Sequence, residues 1–266
     1  MAQQMLAFIV SFFIPSTNIY GIILVWVVAL VFGAIWLACY RPPLISRPWL
    51  WAVLAAGAIL APIAIAITAF PVRSGILWVY NSIWSQETLS QWALLASLPW
   101  IYIFGLVQEG FKLLPVVVFW WFNSRTIEPK LGLVAGAVSG AGFGILEAKW
   151  SLNYLLVSGW TWGQVQADGV VGLAGFWESF FVIGVHVASC ALAGWGLAKG
   201  RGWQFYLLAA FVFLFPTYSY VLVGQAVVTG IQAEILIAVW ALIATGVVLW
   251  LRERKSKVKS RVKSRT

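Results

Sequence analysis

Leu106-Val-Gln-Glu-Gly-Phe-Lys-Leu-Leu-Pro115 places Gln108, Glu109 and Lys112 inside an apolar run, Leu98 to Phe122, long enough to cross a membrane. On insertion scales a charge near the centre of such a run costs about 2.5–3.5 kcal/mol, so a functional role is its default reading. The rest of the chain has the same character. Of 266 residues, 62% are hydrophobic and 9% charged, against about 25% charged in a soluble domain. The composition therefore defines an all-α, polytopic membrane helical bundle.

Seven apolar runs of spanning length follow one another: Ile19 to Tyr40, Trp49 to Phe70, Leu98 to Phe122, Leu131 to Val157, Val170 to Ala198, Trp203 to Val223, and Ile231 to Leu251. Arg41 and Arg47, Arg125 and Lys130, Lys199 and Arg201, and the tail from Arg252 occupy alternate connections. By the positive-inside rule this places the N-terminus outside and the C-terminus in the cytoplasm. Eight of the 17 Lys and Arg lie in the last fifteen residues, so the net charge of +9 belongs largely to the tail. With no basic patch interleaved with aromatics elsewhere, nucleic acid is excluded as a partner. The tail itself is expected to be a disordered anchor attracted to anionic lipid.

Four segments organise the chain. Residues 1–97 hold two spans and an interfacial segment, 98–198 a three-span core that carries the polar residues, 199–251 two further spans, and 252–266 the basic tail. Met1 to Ile14 is too short to span, lacks the marks of a signal peptide, and is expected in the interface. Ser85 to Leu98 reads as an interfacial helix leading into the third span, with Pro99 in that span's first turn. Ser158 to Gly169, with Trp160 and Trp162, suits an aromatic belt. Cys39 and Cys190, each inside an apolar run, read as buried small residues rather than a disulfide.

Gly132, Gly136, Gly140 and Gly144 recur every four residues and form a bare ridge on one helix face. Glu147 lies one step beside that ridge, so a neighbouring helix should hold it. At about 1.5 Å per residue, Glu109 is about 17 Å, Glu178 about 12 Å and His186 about 24 Å inside the start of its span, and Glu147 about 15 Å from the end of its own. These depths allow one shared site. Glu178 and His186 are eight residues apart and can face one cleft; Lys112 shares a face with Glu109. The alternative is a set of separate ion pairs, Glu109 with Lys112 and Glu147 with Lys149. His186 is the sole histidine of the chain.

Taken together, Gln108-Glu-Gly-Phe-Lys112 resembles the EExxK motif of PrsW-type intramembrane proteases, relatives of the CAAX-processing and bacteriocin-processing membrane proteases. Phe143-Gly-Ile-Leu-Glu147 is similar to their FxxxE motif, and Glu178 followed by His186 resembles the third motif helix, most closely in the YhfC branch. The resemblance covers roughly Leu98 to Ala198. It implies Glu109, Glu147, Glu178 and His186 as catalytic residues, with Lys112 as the basic companion of Glu109 and Gln108, Phe143 and Cys190 in support. The chain departs from the pattern at Gln108, where the family has a glutamate, and at Cys190, where CAAX-type relatives have Asn or Asp.

The resemblance implies a multi-pass protein of a prokaryotic cytoplasmic membrane that hydrolyses a peptide bond of a membrane protein or membrane-proximal peptide. Two mechanisms stay open. A carboxylate can activate water with His186 assisting, or Glu109, Glu147 and His186 can hold Zn²⁺ with a water in the open position. Gln108, which cannot accept a proton, also permits an inactive homologue that acts as a membrane binding protein or an ion or proton pathway.

Overall fold

A computed structural model describes residues 1–13 and 18–263, with side chains through Glu253. Ile14 and the side chains of the tail beyond Glu253 lie outside the described residues. Among the described residues the regular structure is helical throughout. A short helix α1 (Ala2–Ser11) precedes α2 (Ile19–Tyr40) and α3 (Trp49–Ile67). A π-helical turn (Thr68–Val72) then joins α3 to α4 (Arg73–Ile83). After α5 (Gln86–Gln91) come α6 (Ala93–Phe122), α7 (Pro129–Val157) and α8 (Trp162–Asp168), then α9 (Ala174–Ala198), α10 (Gly202–Gly224) and α11 (Gly230–Lys263). Seven helical stretches are long and apolar enough to cross a membrane, in agreement with the sequence reading.

Local chemistry sets several of the ends. Asn18 caps α2 by accepting from the Gly21 amide at 2.9 Å. Glu128-Pro129 starts α7 with proline at the first helical position, where a missing N–H is harmless. Thr161 and Gln164 form a capping box at the start of α8, so the outer loop expected at Ser158 to Gly169 contains a helical turn.

Three boundaries differ from the sequence reading. The second span does not stop at Phe70 but continues to Ile83. Pro71 removes a backbone donor, and the turn widens to π geometry around it while Thr68 Oγ1 donates to the carbonyls of Ala64 and Ile65 at 3.1 and 2.8 Å. The interfacial helix is shorter than expected, since α6 begins at Ala93 and Pro99 lies within it rather than in its first turn. Hydroxyls from neighbouring helices serve this stretch: Tyr80 donates to the Ala96 carbonyl at 2.8 Å and Tyr218 to that of Leu94 at 3.3 Å. The tail, expected to be disordered, continues α11 to Lys263, as its Lys and Arg content permits.

The centre of the bundle is α7, with 89% of its apolar window buried against 28% for α2, α10 and α11. The glycine ridge explains why. A Cβ added at Gly132, Gly136 or Gly140 would stand 2.5, 2.1 or 2.2 Å from the backbone oxygens of Gly194, Cys190 and His186 on α9. Only bare backbone allows that approach. On another face, Gly142 sits equally close to the Leu54 carbonyl of α3. One apolar core links α2, α3, α6, α7, α9, α10 and α11, and a second gathers Phe12, Ala61, Ala64, Ile65, Phe143 and Leu146.

Candidate functional site

Close packing of α7 on α9 brings the polar residues of two motifs together, and α6 supplies the third. Glu109 and Lys112, three residues apart on α6, form an ion pair with both side chains fully buried. Lys112 Nζ also lies 2.9 Å from His186 Nδ1 and 3.5 Å from Ser189 Oγ on α9. Ser189 Oγ in turn donates to Glu109 Oε1 at 2.6 Å. Phe143 and Phe213 wall this cluster: Lys112 Nζ is 5.4 and 4.4 Å from their ring centroids, and the His186 ring 5.2 and 5.0 Å. A cation over aromatic faces is stabilised where water is absent. Pro115 breaks the hydrogen-bond ladder of the next turn, and Ser139 Oγ donates to the Lys112 carbonyl at 2.5 Å.

The other edge of the imidazole meets Glu147. His186 Nε2 is 2.9 Å from Glu147 Oε2. The contact is close but not aligned as a hydrogen bond, and neither atom has another partner among the described residues. An ammonium only donates, so Nδ1 accepts from Lys112 and the proton of a neutral ring resides on Nε2, facing the carboxylate. The Glu147 side chain is 25% exposed. With Glu178 it lines a cavity of about 230 Å³, walled also by Phe104, Phe213 and Pro216. Glu178 Oε1 accepts a 2.6 Å hydrogen bond from Tyr220 on α10.

The expected residues therefore divide. Glu109, Lys112, His186 and Glu147 form one chain of contacts, and Glu178 joins Glu147 across the cavity. Phe143 packs on the imidazole. Gln108 is buried at 1% exposure, its side-chain oxygen has no partner among the described residues, and neither it nor Glu109 lines the cavity. Cys190 is fully buried with its Cβ toward Gly140, whereas Cys39, expected to be buried, is exposed. The alternative pairing of Glu147 with Lys149 is not formed: Lys149 Nζ instead donates to the Phe12 carbonyl at 2.8 Å. On a helix, side chains two residues apart point in different directions.

Ser189, Phe213 and Tyr220 escaped the sequence reading. Ser189 is three residues after His186 and therefore shares its face. The polar run Thr217-Tyr-Ser-Tyr220 within an apolar span was the available signal for Tyr220.

Donor chemistry and geometry give different answers about a metal. Glu147 Oε2 and His186 Nε2 are buried, unpartnered and adjacent, and an oxygen and an imidazole nitrogen are suitable donors for zinc. Glu109, however, is reached through Lys112 at Nδ1, not at the Nε2 edge. Among the described residues no three of His, Cys, Asp and Glu are grouped to hold a metal ion. As arranged, the trio does not fit a three-ligand centre.

Fold and site define a polytopic membrane protein with a carboxylate–imidazole cluster inside the bundle. Residues 46–248 match the family described as PrsW family intramembrane metalloprotease, and the chain belongs to that family. No curated protein and no solved structure matches it.

Proposed function

We propose that this protein is an endopeptidase that hydrolyses a membrane or membrane-proximal peptide bond in the cavity shared by Glu147 and Glu178. The observation that carries the reading is that Glu147 both touches His186 and opens into a cavity. Glu147 acts as general base, taking a proton from water as the oxygen adds to the scissile carbonyl carbon. It returns that proton to the amide nitrogen as the C–N bond breaks. The Nε2–H of His186 faces the carboxylate and is available to the developing oxyanion. Lys112, fixed by Glu109 and Ser189, sets the tautomer of His186 as a positioning residue. Glu178, held by Tyr220, faces the substrate backbone. The family description names a metal; Glu147 and His186 offer two donors with no third converging among the described residues, so the chain's own side chains carry each step here.

Loop charge supports a cavity in the outer half of a cell membrane, with the C-terminus cytoplasmic and the basic tail against anionic lipid. A second reading, a weakened or inactive homologue that binds a membrane partner or conducts ions or protons, is favoured by Gln108 at the motif's first position. Purified protein, with Glu109→Gln, Glu147→Gln, His186→Ala and Gln108→Glu variants beside it, is assayed against a panel of membrane-spanning peptides. Cleavage lost in Glu147→Gln and His186→Ala supports the protease; equal cleavage by all five proteins sinks it. Cleavage by Gln108→Glu alone favours the inactive homologue.

A further inference from the structure

Away from this cluster, the α2 C-terminus, the α7 N-terminus and the end of the α11 span meet at one end of the bundle and enclose a second cavity, of about 260 Å³. Its walls are Cys39, Arg41, Lys130, Leu249, Arg252 and Glu253, so three cations face one carboxylate. We propose that this cavity binds the phosphate of an anionic phospholipid, independently of the basic residues beyond Glu253 and of the proteolytic site.

The cations are poorly served by the protein itself. Arg252 Nη1 donates to the Cys39 carbonyl at 3.2 Å, which suits a cation at a helix C-terminus. Among the described residues none of the three has a carboxylate within ion-pairing distance. Lys130 is the second residue of α7, where the helix dipole disfavours a positive charge. Arg41 ends α2 at φ 46°, a left-handed conformation that suits Gly or Asn better than Arg. Three helices thus place cations around one space at some electrostatic and backbone cost, and a bound anion offsets it.

Phosphate is the matching chemistry, because guanidinium groups recognise its oxygens bidentately and an ammonium adds a point charge. The position favours a lipid as its source. The cavity lies where three spans end, and Leu249 and Cys39 add apolar wall beside the cations, as an acyl-bearing headgroup requires.

The test is thermal unfolding of the full chain in neutral detergent, titrated with short-chain phosphatidylglycerol, short-chain phosphatidylcholine or inorganic phosphate. Phosphatidylglycerol should raise the midpoint of the wild type and of a variant whose basic residues within 254–265 are all Gln. Each cation near an anionic lipid is worth roughly a fivefold factor, so Arg41→Gln/Lys130→Gln/Arg252→Gln should need about a hundredfold more lipid. If that triple variant does not fold, Lys130→Gln alone, on an exposed side chain, should need about fivefold more. Four results overturn the proposal: an equal response to phosphatidylcholine, saturation by inorganic phosphate alone, loss of the response in the tail variant, or an unchanged response in the pocket variants.

Discussion

The two edges of the His186 ring face opposite conditions. At Nδ1, Lys112, Glu109 and Ser189 are sealed from solvent and bond one another, with Glu109 Oε2 left without a partner among the described residues. At Nε2, Glu147 is a quarter exposed, lies out of hydrogen-bond alignment, and shares a cavity with a second acid. The sealed side pairs its carboxylate with a cation; the open side leaves its carboxylates without one. Groups already paired with each other hold geometry, and a carboxylate with free capacity beside a cavity is the stronger candidate for chemistry.

The largest expected effect tests the open side. Glu147→Gln should lower peptide cleavage by about 10²–10⁴-fold, the worth of a positioned general base, while the unfolding midpoint stays near that of the wild type. An active Glu147→Gln would move the reacting carboxylate elsewhere and break the comparison. On the sealed side the effect should be on stability. Lys112→Met leaves Glu109 buried without its partner and should cost about 3–5 kcal/mol, read from denaturant unfolding in detergent. Adding Glu109→Leu should recover most of that loss, because a buried pair is often replaceable by apolar residues.

A smaller effect is expected where the two sides depend on the same helix contact. Gly136→Ala puts a methyl group 2.1 Å from the Cys190 carbonyl, so α7 and α9 must separate. Overpacking of this kind costs about 1–3 kcal/mol, and cleavage should fall with stability because Glu147 and His186 sit on the separated helices. The smallest effect is Tyr220→Phe. It removes one hydrogen bond to Glu178, worth about 1 kcal/mol, and should change cleavage by about fivefold with the fold intact. A Tyr220→Phe loss as large as that of Glu147→Gln would make Glu178 the principal acid.

Much of this arrangement was legible in the sequence because hydropathy and small-residue spacing are local signals. Seven charge-poor runs gave seven spans, and the ridge from Gly132 to Gly144 gave the central helix together with the reason Glu147 meets a neighbour. The Glu109–Lys112 pair followed from helical spacing. Less legible were features set by contacts between helices. The apolar run ended at Phe70 and Pro99 suited a first turn, yet a π turn around Pro71 and hydroxyls from neighbouring helices let the chain continue through both. Compatible depths suggested that Glu109, Glu147 and His186 converge, but the rotation of α6 directs Glu109 to Lys112 and keeps it from the Nε2 edge. Tyr220 and Phe213 enter from α10, outside the motif-bearing segment, where no periodicity marks them.

The Lys149–Phe12 contact has a consequence for how the protein assembles. Phe12 is fully buried, stacks on Trp150 at 4.9 Å, and accepts from a lysine 137 positions later in the chain. Helix α1 is therefore synthesised long before its docking surface, which exists only once α3 and α7 have inserted. Its docking is a late event, so protease added to nascent chains arrested before α7 should cleave near Phe12, and chains released after α9 should resist. Residues next to Glu147 would thereby report completion of the bundle back to the beginning of the chain.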